Sequence, residues 1–288
     1  MAVFDPSKER IAVIAGNGQL PCEIVRELQR LKRDPLLIGI SGEIEDRLAK
    51  DASAVLTYGQ LGRLFEVLKK ESIRHVVFAG GINKRPDFKS IKMDMVTLKE
   101  VPTLLKIVMG GDNSVLSKIS AFFAKKNVKV VGAHEVVPML LASHGAINGN
   151  PSLKTYKPTI AMAFKAAKAI GALDAGQAAI AEHGRVIALE AAEGTDAMID
   201  RVVQLRKDGR ISVKPSNGIL AKTMKPEQDM RADLPAIGPD TIRSVAAAGL
   251  KGIAIEAGHT FILEKEETLR LAGELKIFII GVKAEDFK

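Results

Sequence analysis

The chain has 288 residues, 47% of them hydrophobic, enough to bury a proper core and to form two domains that meet at a cleft. Its single cysteine, Cys22, excludes an internal disulfide and any multi-thiolate zinc site, and fits a reducing, cytoplasmic setting. A formal net charge of +8 points to anionic partners, yet the lack of tryptophan, the few aromatics and the scattered Lys and Arg residues argue against nucleic acid and for a phosphorylated ligand.

Met1 to Arg10 has no apolar run of signal-peptide length behind Lys8 and Arg10, and no later run approaches a membrane span. The first half then alternates short apolar runs with amphipathic stretches. Strands are expected at Ile11 to Ala15, Leu36 to Ile40, Ala54 to Thr57, His75 to Ala79 and Val128 to Val131. Helices are expected from Pro21 to Lys32, from Leu61 to Lys70, and from Gly110-Gly111-Asp112-Asn113 to Lys126. Such alternation predicts an α/β fold, a Rossmann-like doubly wound parallel sheet over residues 1–147.

Asn148-Gly149-Asn150-Pro151 is a punctuation cluster, and a linker able to bend is expected over 148–157. Residues 158–288 read as a second, mixed α/β domain. It begins with a helix from Thr159 to Ile170 and a hairpin, Gln177 to Ala181 with Val186 to Ala191, turning at His183-Gly184. Helices follow at Asp196 to Lys207, Asp240 to Ala248 and Lys265 to Leu275, with strands near Ile219 to Thr223, Gly252 to Ile255, Thr260 to Leu263 and Phe278 to Gly281.

Gly16-x-Gly18 lies between a strand and a helix, where backbone N–H groups and the helix dipole can receive a phosphate. Glycines in a tight turn explain the same pattern. The third position of the dinucleotide fingerprint is Pro21, and the second strand ends at Ile40 without a ribose-holding acid, so the rival reading as an NAD(P)-binding oxidoreductase lacks two of its marks. Gly80-Gly81, followed by Lys84 and Arg85, falls at the carboxyl end of a strand, where ligands of open α/β sheets lie. Asp112 either meets the nucleotide or caps the next helix.

Lys225 to Gly238 crowds ionisable groups between Pro226 and Pro235, which forbid a regular helix. Extended geometry would set Asp229, Arg231 and Asp233 on one face as an acid-base-acid row; a span of roughly 13 Å would then keep the two acids from one metal ion, unless the chain turns. A solvated loop is the bland alternative. Glu190, Glu193 and Asp196 gather where a strand hands over to a helix that Thr195 could cap, and Lys222 lies close to the acidic row in sequence. Five histidines show no zinc spacing, and no serine nucleophile elbow is present, so direct attack by water is favoured over a covalent intermediate.

Together with His134-Glu135 and Glu256-Ala257-Gly258, these motifs give the whole chain a resemblance to the UDP-2,3-diacylglucosamine pyrophosphatases of the LpxI family. The combination Glu-Gly-Thr-Asp at 193–196, Lys-Pro-x-Gln-Asp-x-Arg-x-Asp-Leu-Pro at 225–235 and Glu-Ala-Gly at 256–258 carries it. The resemblance implies hydrolysis of a UDP-linked diacylated glucosamine to UMP and the acylated sugar 1-phosphate (lipid X), in lipid A synthesis, by an enzyme that visits the cytoplasmic face of the inner membrane. Near such a diphosphate, Asp233, Asp229, Glu193, Asp196 and Glu190 are expected to hold Mg2+. Asp233 would orient or deprotonate water, Asp229 would assist, and Arg231 and Lys225 would stabilise charge. Gly16, Gly18, Gly80, Gly81, Arg85, Asp112, Thr195 and Lys222 would contact substrate. A homodimer is the expected assembly, and a non-catalytic module that binds an acylated sugar phosphate is the remaining rival.

Overall fold

The computed structural model describes residues 9–82, 91–108, 112–212, 217–226, 228–231 and 234–288, with side chains at all of these except 105–108, 112–116 and 153. Asp233 and Arg85 lie outside the described residues. The chain divides into two compact units, Met1–Pro138 with Asp229–Asp233, and Met139–Gln228 with Leu234–Lys288.

The first unit is built on β1 (Ile11–Ala15), α1 (Leu20–Arg30), β2 (Leu36–Ile40), α2 (Asp46–Ala49), β3 (Ala54–Leu56), α3 (Leu61–Lys70), β4 (His75–Ala79), α4 (Met95–Val108), α5 (Asp112–Ala124), β5 (Lys129–Val131) and α6 (Ala133–Val136). Its strands are parallel in the order β3-β2-β1-β4-β5. All five residues of β1 are buried, as a central strand covered on both faces requires. Pro21, Ile24, Val25 and Leu28 form the buried stripe of α1, and Leu64 and Leu68 anchor α3. Phe65, Phe78, Phe122 and Phe123 meet in tilted and edge-on contacts 5.1 to 6.1 Å apart, an aromatic cluster within this core.

The second unit comprises β6 (Gly145–Asn148), α7 (Leu153–Ala172), β7 (Ala178–Glu182), β8 (Arg185–Leu189), α8 (Gly194–Lys207), β9 (Ile219–Lys222), β10 (Ala236–Ile237), α9 (Pro239–Ala247), β11 (Gly252–Glu256), β12 (Phe261–Ile262), α10 (Lys265–Glu274) and β13 (Phe278–Val282). Its main sheet runs β6-β13-β11-β9-β7-β8, with a parallel centre of β13, β11 and β9 and antiparallel flanks. Ile160, Ala163, Phe164 and Ala167 of α7 cover one face, while Ile199, Val202, Ile242 and Val245 of α8 and α9 belong to the core on the other. The hairpin turns at His183 and Gly184, both at positive φ, the geometry of a two-residue type I′ turn.

The division differs from the one expected at 148–157. Asn148 ends a strand paired with β13, α7 begins at Leu153, and both belong to the second unit, so the Asn148 to Pro151 cluster is a strand-to-helix turn and does not link the units. The helix expected from Thr159 starts six residues earlier and runs through Pro158, which has no N–H to donate to the Lys154 carbonyl one turn before it. α2, α4 and α6, like β6 and β10, have no counterpart in the sequence reading; α4 contains Pro102.

Candidate functional site

The parallel register sets Ala15 beside Ala79, so Gly16 and Gly80 leave the sheet side by side. Gly16 N–H donates to the Ala79 carbonyl at 2.9 Å, and Asn17 and Gly81 exchange backbone bonds of 3.0 and 3.1 Å. A Cβ on Gly16 would lie 2.2 Å from the Gly81 oxygen, and one on Gly80 would lie 2.2 Å from the Asn17 oxygen. Close approach of the two loops therefore demands glycine at both places. Gly18, at φ +89°, faces open space instead. The four expected glycines are thus brought together at the carboxyl edge between β1 and β4, where the strand order reverses and a ligand crevice forms in folds of this kind.

Two acids that the sequence reading passed over also reach this edge. Glu45 Oε1 accepts the Gly18 N–H at 3.1 Å, and the buried Glu43 accepts from Asn17 Nδ2 at 3.1 Å. Glu43 lies three residues beyond β2, and the turn at Gly42 (φ +81°) carries it back. A phosphate approaching the Gly18 N–H must displace Glu45. Asp112 opens α5.

Asp229 and Arg231 do not form an extended row, because the chain turns at Met230 and Arg231. Asp229 Oδ1 accepts the Arg231 backbone N–H at 3.0 Å and its Nε at 2.9 Å, while Oδ2 takes a second guanidinium N–H and the Ser117 hydroxyl, the latter at 3.3 Å. This fork holds the Asp229 carboxyl below the usual aspartate range, against the opposing effect of burial. The His134 ring donates from Nδ1 to the Met230 carbonyl at 3.0 Å, and Glu135 Oε1 accepts the Gly132 N–H at the end of β5 at 2.8 Å. His134 is thus a backbone anchor. Arg231 and Ser117 line a groove of about 590 Å³ together with Ala121, Ala124, Val128 and Val130.

In the second unit, Lys225 Nζ meets Asp174 Oδ1 at 2.6 Å, and the buried Lys222 Nζ donates to the Ala236 carbonyl at 2.9 Å. Glu190 is buried. Its Oε2 accepts the Gln177 N–H and its Oε1 the Thr195 hydroxyl, each at 2.9 Å, so it ties the β8–α8 connection together. Thr195 therefore does not cap α8, which begins one residue earlier at Gly194. Glu193 pairs with Arg201 at 2.9 Å, and Asp196 is exposed in the first helical turn. Among the described residues no group of three or more His, Cys, Asp or Glu is arranged to hold a metal ion. Mg2+ is commonly held by one or two carboxylates with substrate phosphate and water completing the shell, a demand smaller than a three-residue cage.

Sequence reading also missed Lys168, which lies one helical turn beyond Phe164 on the buried side of α7 and donates to Glu256 Oε2 at 2.7 Å. A lone cation continuing an apolar stripe was its available signal. Among the described residues no helix is long and apolar enough to cross a membrane.

The sequence matches the LpxI N-terminal domain over residues 10–140 and the LpxI C-terminal domain over residues 143–280. It is also 34% identical over 277 residues to the UDP-2,3-diacylglucosamine pyrophosphatase LpxI of Caulobacter vibrioides, covering 96% of this chain and 99% of that relative.

Proposed function

The chain belongs to the LpxI family, and from that premise we propose that it hydrolyses the diphosphate of UDP-2,3-diacylglucosamine to UMP and 2,3-diacylglucosamine 1-phosphate (lipid X), a step of lipid A synthesis. The observation that carries this reading is the similarity along both units to a pyrophosphatase of that substrate. The chemistry asks for a water aimed at phosphorus, cations for the spreading charge and a crevice for the nucleotide.

In this reading the nucleotide or its diphosphate lies at the glycine edge of β1 and β4, with Arg85 and Asp112 nearby in sequence to the loops and helix involved. Asp233 orients or deprotonates the water. Asp229, forked by Arg231, supplies a fixed anion and presents the guanidinium to phosphate oxygens. Lys225 adds a second cation. Water oxygen bonds to the sugar-proximal phosphorus while the bond from that phosphorus to the bridging oxygen breaks, and UMP leaves with the bridging oxygen. The water protons pass to Asp233 and solvent.

Magnesium, if bound, would neutralise diphosphate oxygens and polarise phosphorus. Asp233 and Asp229 are the first carboxylates assigned to it. Glu190, whose two oxygens already accept bonds from Gln177 and Thr195, is set aside from that group. We further assign the protein to the cytoplasmic face of the inner membrane, which its positive charge favours, and to a homodimer.

Incubation with UDP-2,3-diacylglucosamine in 18O-labelled water tests the reaction. The label is expected in the acylated sugar 1-phosphate and not in UMP. Label in UMP would move the attack to the other phosphorus, and no UMP release would overturn the function. Activity that survives exhaustive chelation would remove magnesium.

A further inference from the structure

Glu256 is the last residue of β11, and its Oε2 accepts two bonds, from Lys168 Nζ at 2.7 Å and from the Met224 N–H at 2.9 Å. Lys168 Nζ donates again to the Met224 carbonyl at 2.9 Å. One ion pair, 88 residues apart in sequence, thus closes on both backbone groups of a single residue. Met224 lies beyond the sheet: the β9–β11 register ends at Lys222 beside Ile255. The ion pair does there what a neighbouring strand would do.

Met224 begins the stem of the segment that carries Asp229, Arg231 and Asp233. Gly171, in the last turn of α7, leaves ordinary contact distances of 3.4 Å to Lys225 Cα and 3.5 Å to Pro226 Cδ from the place its Cβ would take, and Asp174 holds Lys225. Lys225, the cation assigned to the phosphate charge, follows Met224 directly, so an error in the Met224 backbone is carried to it across a single peptide bond. Both charged side chains are mostly buried, 28% and 13% exposed, which makes the pair sensitive to loss of either partner.

We infer that Lys168 and Glu256 are positioning residues for the hydrolysis, setting the conformation of Met224 and through it the placement of Lys225. The inference rests on the function proposed above. It also gives the Glu256-Ala257-Gly258 motif a role that neither the glycine edge nor the acidic segment supplies.

The test compares Glu256→Gln, Lys168→Met, Lys168→Arg and the Glu256→Gln/Lys168→Met double variant with the wild-type chain, reading kcat, KM, melting temperature and exchange of the Met224 amide. Misplacement by about 1 Å can cost about a hundredfold. Glu256→Gln and Lys168→Met are therefore expected to lower kcat about 10- to 100-fold with KM held within about twofold. Met224 exchange should quicken about tenfold while the melting temperature stays close to wild type. The double variant should be no slower than the slower single, and Lys168→Arg should recover most of the rate. Wild-type kcat in Glu256→Gln with the Met224 amide released would overturn the inference. So would a kcat loss that merely follows loss of folded protein, or a rise in KM at unchanged kcat. A wild-type chain that releases no UMP overturns the function instead, and an unchanged Met224 exchange rate in both single variants would then also remove the clamp.

Discussion

Asp229 receives the backbone N–H of Arg231 and the guanidinium of the same residue on one carboxylate, so a two-residue turn carries a fixed anion with a cation locked beside it. The aspartate ordinarily titrates near pH 3.9, and the Arg231 hydrogen bond brings the folded value lower. A group with a depressed folded pKa stabilises the fold fully above its unfolded pKa and loses that contribution as pH falls through the folded one. The stability gap between wild type and Asp229→Asn should therefore be flat above about pH 5, shrink below about pH 4, and vanish in stronger acid. Its plateau should be about 1 kcal/mol, since the Arg231 side chain is 35% exposed. Denaturant melts from pH 3 to 7, about one per pH unit, read this gap. A gap that widens on acidification would contradict the pairing.

Asp233→Asn is expected to lower kcat by about 10²- to 10⁴-fold, the usual yield of a positioned acid–base group. Melting temperature and substrate affinity should stay near wild type, because a carboxylate in a proline-bounded, charge-rich stretch of sequence contributes little to a core. Paired measurements of kcat and unfolding decide this. Turnover at the wild-type rate by a folded Asp233→Asn chain would take this residue out of the chemistry, and parallel loss of stability and activity would make it a structural residue.

Much of the first unit was legible because its strands are continuous apolar runs bounded by turn residues: β2, α3 and β4 fall at the expected positions, residue for residue. What failed to show in sequence depended on distant partners. β6 is a four-residue edge strand that exists through its antiparallel bonds to β13, so Gly145-Ala146-Ile147-Asn148 carries almost no signal of its own. Asn148-Gly149-Asn150-Pro151 announces a turn, but a turn between a strand and a helix and one between domains have the same local chemistry. At the site, Gly16 and Gly80 were readable from their places at strand ends. Asp229 and Arg231 were expected on one face of an extended chain, whereas a turn with anchors on Ser117 and His134, about a hundred residues away, brings them together. Lys168 and Glu256 meet only in the folded chain.

Gly16 and Gly18 should respond differently to alanine. A methyl on Gly16 collides with the Gly81 carbonyl, so Gly16→Ala is expected to lose about 2 kcal/mol or more, as overpacking against backbone does. Gly18→Ala meets no neighbour within 4 Å and suffers only from its positive φ, about 1 to 2 kcal/mol. If the diphosphate docks on this loop, the methyl added at position 18 stands in its way and KM should rise about tenfold, equivalent to about 1.4 kcal/mol. Thermal melts with steady-state kinetics separate the two effects. An unchanged KM for Gly18→Ala would place the phosphates away from the Gly18 N–H.

Glu190 offers the sharpest separation of a structural acid from a metal ligand. Its two oxygens accept the Gln177 N–H and the Thr195 hydroxyl, and glutamine in its place keeps one acceptor for Gln177 but turns an N–H toward Thr195, whose hydroxyl must then accept instead of donate. Exchanging hydrogen bonds to a charged carboxylate for bonds to a neutral amide loses about 1 kcal/mol. Glu190→Gln should therefore melt lower by several degrees, at about 2 to 4 °C per kcal/mol for a chain of this size. That deficit should be the same in chelator and in millimolar magnesium. A magnesium ligand would behave otherwise: wild type would gain stability with added magnesium, and the variant would lose that gain. Melting curves of both proteins across a magnesium titration make the distinction, and a deficit that appears only when magnesium is present would return Glu190 to the metal.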